Sequence, residues 1–414
     1  MTYNKPIRRI AIVGTGVIGA SWAAQYLARG FDVVATDPAP NAEANLRKYV
    51  DEAWELLTSI GLSAGASRDR LNFTTNLQQA LANADLVQEN GPERPDFKIK
   101  LYTDMDEATP VDSIIASSSS GITPSVMQSK CQHPERVVVG HPFNPPHIIP
   151  LVEVVGGAKT SPEAIKQAMT FYSSIGKKAI HVRKELPGHV ANRLQAALYR
   201  EMLYLIEQGV LSVEETDAAV CYGPGLRWGV MGQSLQWHVG GGAGGINHFM
   251  DHLMDPLTGM MKSLGNPQVT PQLKQTIIDG VTREAESRSV DELAQEENKL
   301  IVGYLALRAK ANHGQTELRD QKKRGHYKSL IAAASLGAVI IMLYLFRSVI
   351  FPNYAGLVVA LCCVAIGLFL VRGVIHMLLD FDKVEEAEIN KKESIDLPLE
   401  ANAVVQETGI SPQT

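Results

Sequence analysis

Short runs of apolar and β-branched residues alternate with helical stretches over the first part of the chain. The candidate strands are Arg9–Val13, Asp32–Thr36, Leu86–Gln88, Ser113–Ala116, Val137–Gly140 and Leu151–Val155. Strands that alternate with helices imply a mostly parallel sheet, and strands buried on both faces read as continuous apolar runs. This predicts an α/β domain over residues 1–186. From about residue 187 the strand signal stops. A helix starting near Pro187 and running through Asn192 places Leu194, Leu198 and Leu203 on one stripe, and residues 187–316 read as an all-helical domain.

The pattern changes again beyond that. Residues 317–328 form a basic linker with Lys322, Lys323, Arg324, His326 and Lys328. Ser329–Phe346 is an uncharged apolar run, Arg347 interrupts it, and Ser348–Val371 is a second such run. Each has about the length needed to cross a bilayer. They are apolar all round, unlike a helix that lies on a membrane surface. With Pro352-Asn353 as a turn, residues 329–380 are expected to form two transmembrane helices. The basic residues before the first span hold that end in the cytoplasm by the positive-inside rule, so a cytoplasmic body tethered to a lipid bilayer is the expectation. Arg347 would snorkel to the interface. Residues 381–414 are polar and expected to be disordered. At the other end, Met1 to Arg9 is polar and basic and leads directly into Ile10–Val13, which is too short for the core of a signal peptide.

Composition adds exclusions. In 414 residues, 45% are hydrophobic and 20% charged, an ordinary globular balance, and the net charge of -5 offers no electrostatic footprint for nucleic acid. Cys131, Cys221, Cys362 and Cys363 are too few and too scattered for a disulfide framework or a zinc site. No metal is expected.

The first candidate strand runs into Gly14-Thr15-Gly16-Val17-Ile18-Gly19, after which a helical stretch begins. A GxGxxG between strand and helix is the phosphate turn of a dinucleotide-binding Rossmann domain. Gly14 suits the tight turn, Gly16 the approach of the pyrophosphate, and Gly19 the packing of helix on strand. The helix N-terminus then turns its free N–H groups to the phosphates. Asp37 ends the second strand, where a carboxylate binds the ribose hydroxyls and repels a 2′-phosphate, so the expected cofactor is NAD.

Three polar clusters follow at or near strand ends, where open α/β sheets bind ligands: Ser117–Ser120, then His141-Pro142-Phe143-Asn144-Pro145-Pro146, then Leu151-Val152-Glu153. Oxidising an alcohol needs a base to take the hydroxyl proton as hydride leaves carbon, and histidine suits this. A carboxylate behind it fixes the tautomer. His141 with Glu153 fits these roles, although a histidine before proline suits a capped loop equally well.

Taken together, Gly14–Gly19, Ser117–Ser120, His141–Pro145, Leu151–Val155 and Pro187-Gly188 with Asn192-Arg193-Leu194 resemble the 3-hydroxyacyl-CoA dehydrogenase superfamily over residues 6 to about 312. The resemblance implies His141 as general base with Glu153 as its partner, and Ser120 and Asn192 on the reacting oxygen. It implies Glu93 and Lys98 near the nicotinamide half of the cofactor, and a homodimer through the helical domain. Members acting on CoA esters carry a lysine-rich helical hairpin after the second strand. Here residues 40–60 hold Arg47 and Lys48 against Glu43, Asp51, Glu52 and Glu55, which disfavours a polyphosphate and favours a small free 3-hydroxy acid.

Asp37–Pro40, Leu186–Gly188, Gly225–Trp228 with Met231-Gly232, Gly244-Gly245 with His248–Met250, and Ala285–Ser289 resemble the branch acting on L-carnitine. Such a substrate needs a cation for its carboxylate, for which Arg227 is the candidate. It needs an aromatic face for its trimethylammonium group, for which Trp228, Trp237, Phe143 and Trp54 are candidates. Asn144 borders the same loop. Pro146-His147 departs from that branch, and Asn144-Pro145-Pro146 is shared with the L-gulonate 3-dehydrogenase and lambda-crystallin type, which stays open beside a CoA-ester dehydrogenase. A membrane-tethered NAD-binding protein without turnover is the reading from another class.

Overall fold

In the computed structural model, residues 5–311 and Gly325 are described. Eight strands form one sheet: β1 (Arg9–Val13), β2 (Asp32–Thr36), β3 (Leu71–Thr74), β4 (Leu86–Glu89), β5 (Ile114–Ser117), β6 (Val137–Pro142), β7 (Leu151–Gly156) and β8 (Lys178–Val182). Their order is β3-β2-β1-β4-β5-β6-β7-β8, parallel throughout except that β7 runs antiparallel to β6. The six predicted strands are present with ends shifted by a residue or two. β3 and β8 were not predicted. Both lie at the sheet edges, and their residues are largely half-buried or exposed, so neither shows the apolar run of a central strand.

Six helices accompany the sheet: α1 (Val17–Ala28), α2 (Ala42–Ile60), α3 (Leu77–Leu81), α4 (Pro95–Ala108), α5 (Pro124–Met127) and α6 (Pro162–Ser174). α2 buries Ala42, Leu46, Val50, Ala53 and Leu57, the stripe that a helix period predicts. α6 starts where Ser161 accepts from the Ala164 amide and Pro162 takes the first helical position. One sheet face packs Ile10, Ile12 and Val33 against Trp22, Tyr26 and Leu27 of α1 and Leu46 of α2. The other packs Ala11, Val87 and Ile115 against Tyr102 and Met105 of α4.

Helices follow without further strands: α7 (Ala191–Glu207), α8 (Val213–Val220), α9 (Leu226–Val230), α10 (Gln233–Gly240), α11 (Gly245–His252), α12 (Met254–Ser263) and α13 (Pro271–Glu284), then a helical stretch from 290 to 311. α7 begins at Ala191 rather than near Pro187, because Gly188 and His189 both take positive φ, 76° and 49°, and helical backbone cannot pass through them. Ser212 and Glu215 cap α8 reciprocally. The buried apolar cluster of this part is small: Ile206, Val213 and Leu273, with Leu203 and Ile277 beside it.

The chain divides into a unit Met1–Ala309 and a unit Lys310–Thr414. No helix among the described residues is long and apolar enough to cross a membrane. The linker 317–328, the two apolar runs within 329–380 and the tail 381–414 lie outside the described residues, apart from Gly325.

Candidate active site

β1 delivers the chain into the glycine turn at the carboxyl end of the sheet. Gly14 has φ 86°, and a Cβ there would lie 2.9 Å from the backbone carbonyl of Asn90. A Cβ on Gly19 would stand 1.9 Å from the Gly14 carbonyl oxygen, so helix and turn are in contact. Gly16, which caps α1, is open: a Cβ there meets nothing within 4 Å. These are the close backbone, close helix and open cradle that a pyrophosphate at a helix N-terminus requires. Asp37 stands at the end of β2. It accepts from the Thr15 amide at 2.8 Å and hydroxyl at 3.2 Å, and from the Ala39 amide at 2.9 Å. Its carboxylate therefore ties β2 to the phosphate turn and keeps lone pairs for a ribose. The residues present fit a dinucleotide.

The four serines after β5 do four different things. Ser117 donates to the buried Glu89 at 2.8 Å. Ser118 donates to Asn90 at 2.7 Å and accepts from Gln88 at 2.8 Å and from the Trp22 indole at 3.2 Å. Ser119 donates to Glu93 at 2.5 Å. Ser120 pairs with His141 Nε2 at 3.0 Å. Three hydroxyls anchor the loop and the fourth meets the histidine.

Residues 141 and 153 sit directly opposite each other because β6 and β7 are antiparallel and in that register. Glu153 Oε2 lies 2.9 Å from His141 Nδ1, and both side chains are buried. A carboxylate there only accepts, so Nδ1 carries the proton and Nε2 offers its lone pair to the Ser120 hydroxyl. Glu153 Oε1 accepts from the amides of Val190 at 2.9 Å and Ala191 at 3.0 Å, the first N–H groups of α7. Burial pushes the Glu153 carboxyl up, but the His141 hydrogen bond and these two amides outweigh it, and the group lies below the ordinary carboxylate value. The arrangement can act as a base with its counter-charge on one ring nitrogen and a hydroxyl on the other.

Glu93 accepts from the Ser119 hydroxyl and from the amides of Gly121 at 2.8 Å and Ile122 at 3.1 Å, so it shapes the serine loop. Lys98 is 1% exposed. Its ammonium donates to Glu89 at 2.7 Å and stands 3.8 Å from Glu93. It therefore faces the core.

Other candidates are not drawn to the dyad. Asn144 is exposed and Asn192 half-buried at the start of α7. Arg227 and Trp228 are exposed on α9, where the Trp228 indole donates to Gln233. Trp237 stacks on Phe249 with ring centroids 4.9 Å apart, and Trp54 packs on the sheet core under Arg68. Phe143 is the aromatic at the site, its ring 6.2 Å from that of His141. His147, which the sequence placed beside the substrate, is buried instead: its Nδ1 lies 2.7 Å from the Ser21 hydroxyl and its ring meets Tyr49. On α2, Arg47 pairs with Glu43 at 2.8 Å and Lys48 with Glu52 at 3.6 Å, so both of its cations are matched.

A residue that sequence reading passed over sits beneath the dyad. His189 is 1% exposed, with its ring centroid 5.0 Å from that of His141. Its only signal is a position directly after Gly188 in a turn.

A dinucleotide turn and a histidine base backed by a carboxylate, both at the same end of one sheet, define an NAD-dependent dehydrogenase acting on an alcohol. Comparisons narrow the class. The pattern of the 3-hydroxyacyl-CoA dehydrogenase NAD binding domain matches residues 9–186, and that of the same family's C-terminal domain matches residues 188–275. The L-carnitine dehydrogenase of Streptomyces griseus is 46% identical over 299 residues, covering 72% of this chain and 89% of its own. That of Pseudomonas putida is 44% identical over 316 residues, covering 76% and 98%. Among solved structures, the NAD-dependent 5-formyl-3-hydroxy-2-methylpyridine 4-carboxylic acid 5-dehydrogenase is similar, with a TM-score of 0.64 and 31% identity over 73% of this chain and 99% of its own. This chain belongs to the 3-hydroxyacyl-CoA dehydrogenase family.

Proposed function

We propose that this protein oxidises the 3-hydroxyl of L-carnitine to 3-dehydrocarnitine with NAD. The alignment of Ser120, His141 and Glu153 is the observation that carries the chemistry. NAD, when bound, accepts the hydride from C3. His141 Nε2 takes the hydroxyl proton, and Ser120, released from Nε2, turns its O–H to the same oxygen. Glu153 holds Nδ1–H and offsets the charge of the imidazolium. Asn192, at the start of α7, is the second donor assigned to that oxygen. Gly14, Gly16, Gly19 and Asp37 hold the cofactor, with Glu93 and Lys98 shaping the wall on its nicotinamide side.

Three observations support carnitine: the relatives bearing that activity in their names, the neutralised charges of α2, and Phe143 beside the base. Phe143 is the face assigned to the trimethylammonium group, and Arg227 the cation assigned to the carboxylate, with Trp228 and Asn144 as further contacts. The test is NADH formation from L-carnitine, L-gulonate, 3-hydroxybutyrate and 3-hydroxybutyryl-CoA under one set of conditions. A higher kcat/KM for any of the others refutes the carnitine reading. A cation–π contact of about 2 kcal/mol makes Phe143→Ala raise KM for carnitine about 30-fold, with a smaller change in kcat.

Two assignments concern the rest of the chain. The helical domain, taken as 187–316 beside a dinucleotide domain of 1–186, is proposed to pair with a second copy. The runs within 329–380 are proposed to anchor a cytoplasmic enzyme to a membrane. A chain stopped after Gln321 should be soluble and active, whereas the full chain should sediment with membranes and resist high salt. Recovery of the full chain in the soluble fraction without detergent refutes the anchor.

A further inference from the structure

We propose that His189 is a positioning residue of the active site, a neutral imidazole that sets the serine loop, and so the Ser120 hydroxyl, against His141. This rests on the reading of His141 as the base. The turn that ends the sheet domain is built around the dyad. Gly188 and His189 take left-handed φ in succession, and the His189 amide donates to the Leu186 carbonyl at 3.0 Å. That conformation is uncommon for a residue with a Cβ and needs a compensating contact. The contact is at the ring. Nε2 lies 2.9 Å from the carbonyl oxygen of Ser119, the residue before Ser120. The next two amides of the same turn, Val190 and Ala191, hold Glu153. The turn from Leu186 to Ala191 therefore grips both sides of His141: the serine loop through a side chain and the carboxylate through the backbone.

The tautomer follows. A carbonyl only accepts, so Nε2 of His189 carries the proton. Nδ1 is buried and has no hydrogen-bond partner among the described residues. A second proton there would create a buried cation without an acceptor, 5.0 Å from the ring that must itself become cationic during turnover. The charged groups that face His189 are His141 on β6, Glu153 on β7 and Glu93 after β4. Burial disfavours its charged form, and His141 adds to that, while the Ser119 carbonyl and the two carboxylates act the other way; the balance lowers its pKa.

The experiment compares His189→Phe with His189→Gln in the full chain, assayed with L-carnitine and NAD. Phe keeps the ring but loses the donor, while Gln keeps an N–H at similar reach. Misplacing Ser120 should cost roughly 10-fold or more in kcat for His189→Phe, with KM for NAD within about twofold, and His189→Gln should recover most of the loss. Wild-type kcat in a folded His189→Phe enzyme, or no recovery in a folded His189→Gln enzyme, overturns the proposal. A second measurement needs neither variant nor substrate. In ¹⁵N-histidine-labelled wild-type protein, the ring that contacts His141 should show the neutral Nε2–H tautomer at pH 7 and take up a second proton only below the ordinary histidine value. An Nδ1–H tautomer, or a titration at or above that ordinary value, overturns the proposal. Absence of turnover with carnitine in the wild type would refute the substrate reading and leave this tautomer test standing.

Discussion

Between β1 and β8 the chain buries many of its largest residues completely: Trp22, Tyr26, Tyr102, Tyr172, Leu46 and Leu81 are all at 0% exposure. Between α7 and residue 311 the buried cluster is Ile206, Val213 and Leu273, and large apolar residues face outward, among them Leu194 at 68%, Leu226 at 63%, Val230 at 67% and Leu300 at 68%. Scattered exposed leucines need no explanation, but many large apolar residues outside beside so small a buried cluster do. The helical half reads as a surface made to be covered, in accord with the proposed dimer. The difference also separates the chemistry. His141, Glu153, the serine loop and the glycine turn all stand on the sheet, and the helical half contributes the first turn of α7.

The largest effect tests the two packings. Trp22 stacks on Tyr26 with centroids 5.1 Å apart and is fully buried. Trp22→Ala should cost about 3–5 kcal/mol in urea unfolding. Leu226→Ser should cost each copy less than about 0.5 kcal/mol, yet shift light scattering toward monomer at low protein concentration. A large loss of stability in a Leu226→Ser monomer would show that α9 is covered within one chain and break the contrast.

The second effect tests the division of chemistry. His141→Ala should lower kcat by roughly 100-fold or more with NAD affinity unchanged, whereas Arg227→Ala on the helical half should raise KM for carnitine and spare kcat. Near-normal turnover of His141→Ala would remove the base from the sheet. A third, smaller effect concerns the cofactor: Asp37→Ser should weaken the preference for NAD over NADP by about tenfold, read from kcat/KM with each, because the repulsion of a 2′-phosphate is gone.

The smallest effect is a matter of pH. Burial, with Lys177 nearby adding to it, pushes His147 down to about 4. The unfolded chain then binds a proton near the ordinary histidine value that the folded chain refuses until about pH 4. Between those values the unfolded state holds more protons, so stability falls as pH falls through the window and is level below it. In His147→Asn the decline of Tm from pH 6.5 to 4 should be shallower, by about 3 °C at the acid end. An identical slope would mean that the ring is not held neutral against α1.

Gly14, Gly16, Gly19 and Asp37 were readable because a phosphate turn is local: strand, glycines, helix and the next strand end follow one another along the chain. The central strands were readable for a similar reason, since burial on both faces leaves an unbroken apolar run. β3 and β8 were not, because at a sheet edge Asn72, Lys178 and His181 are exposed and break the pattern. Residue types also named His141 and Glu153 as candidates. What no linear pattern contains is register. That β7 turns back antiparallel and sets 153 opposite 141 is decided by the whole sheet. Ser117 to Ser120 are four equal letters until the loop gives three of them to Glu89, Asn90 and Glu93 and the last to the base. His147 and His189 show the same limit from opposite sides: the first borders the site in sequence and is packed away from it, and the second is silent in sequence and lies under the dyad. Periodicity and turn chemistry act between neighbours along the chain, so the sequence by itself determined the fold class and the cofactor turn. Hydrogen-bond partners across strands and between halves are chosen by distances that exist only once the chain is packed, and tertiary structure alone decided which of the candidate side chains meet.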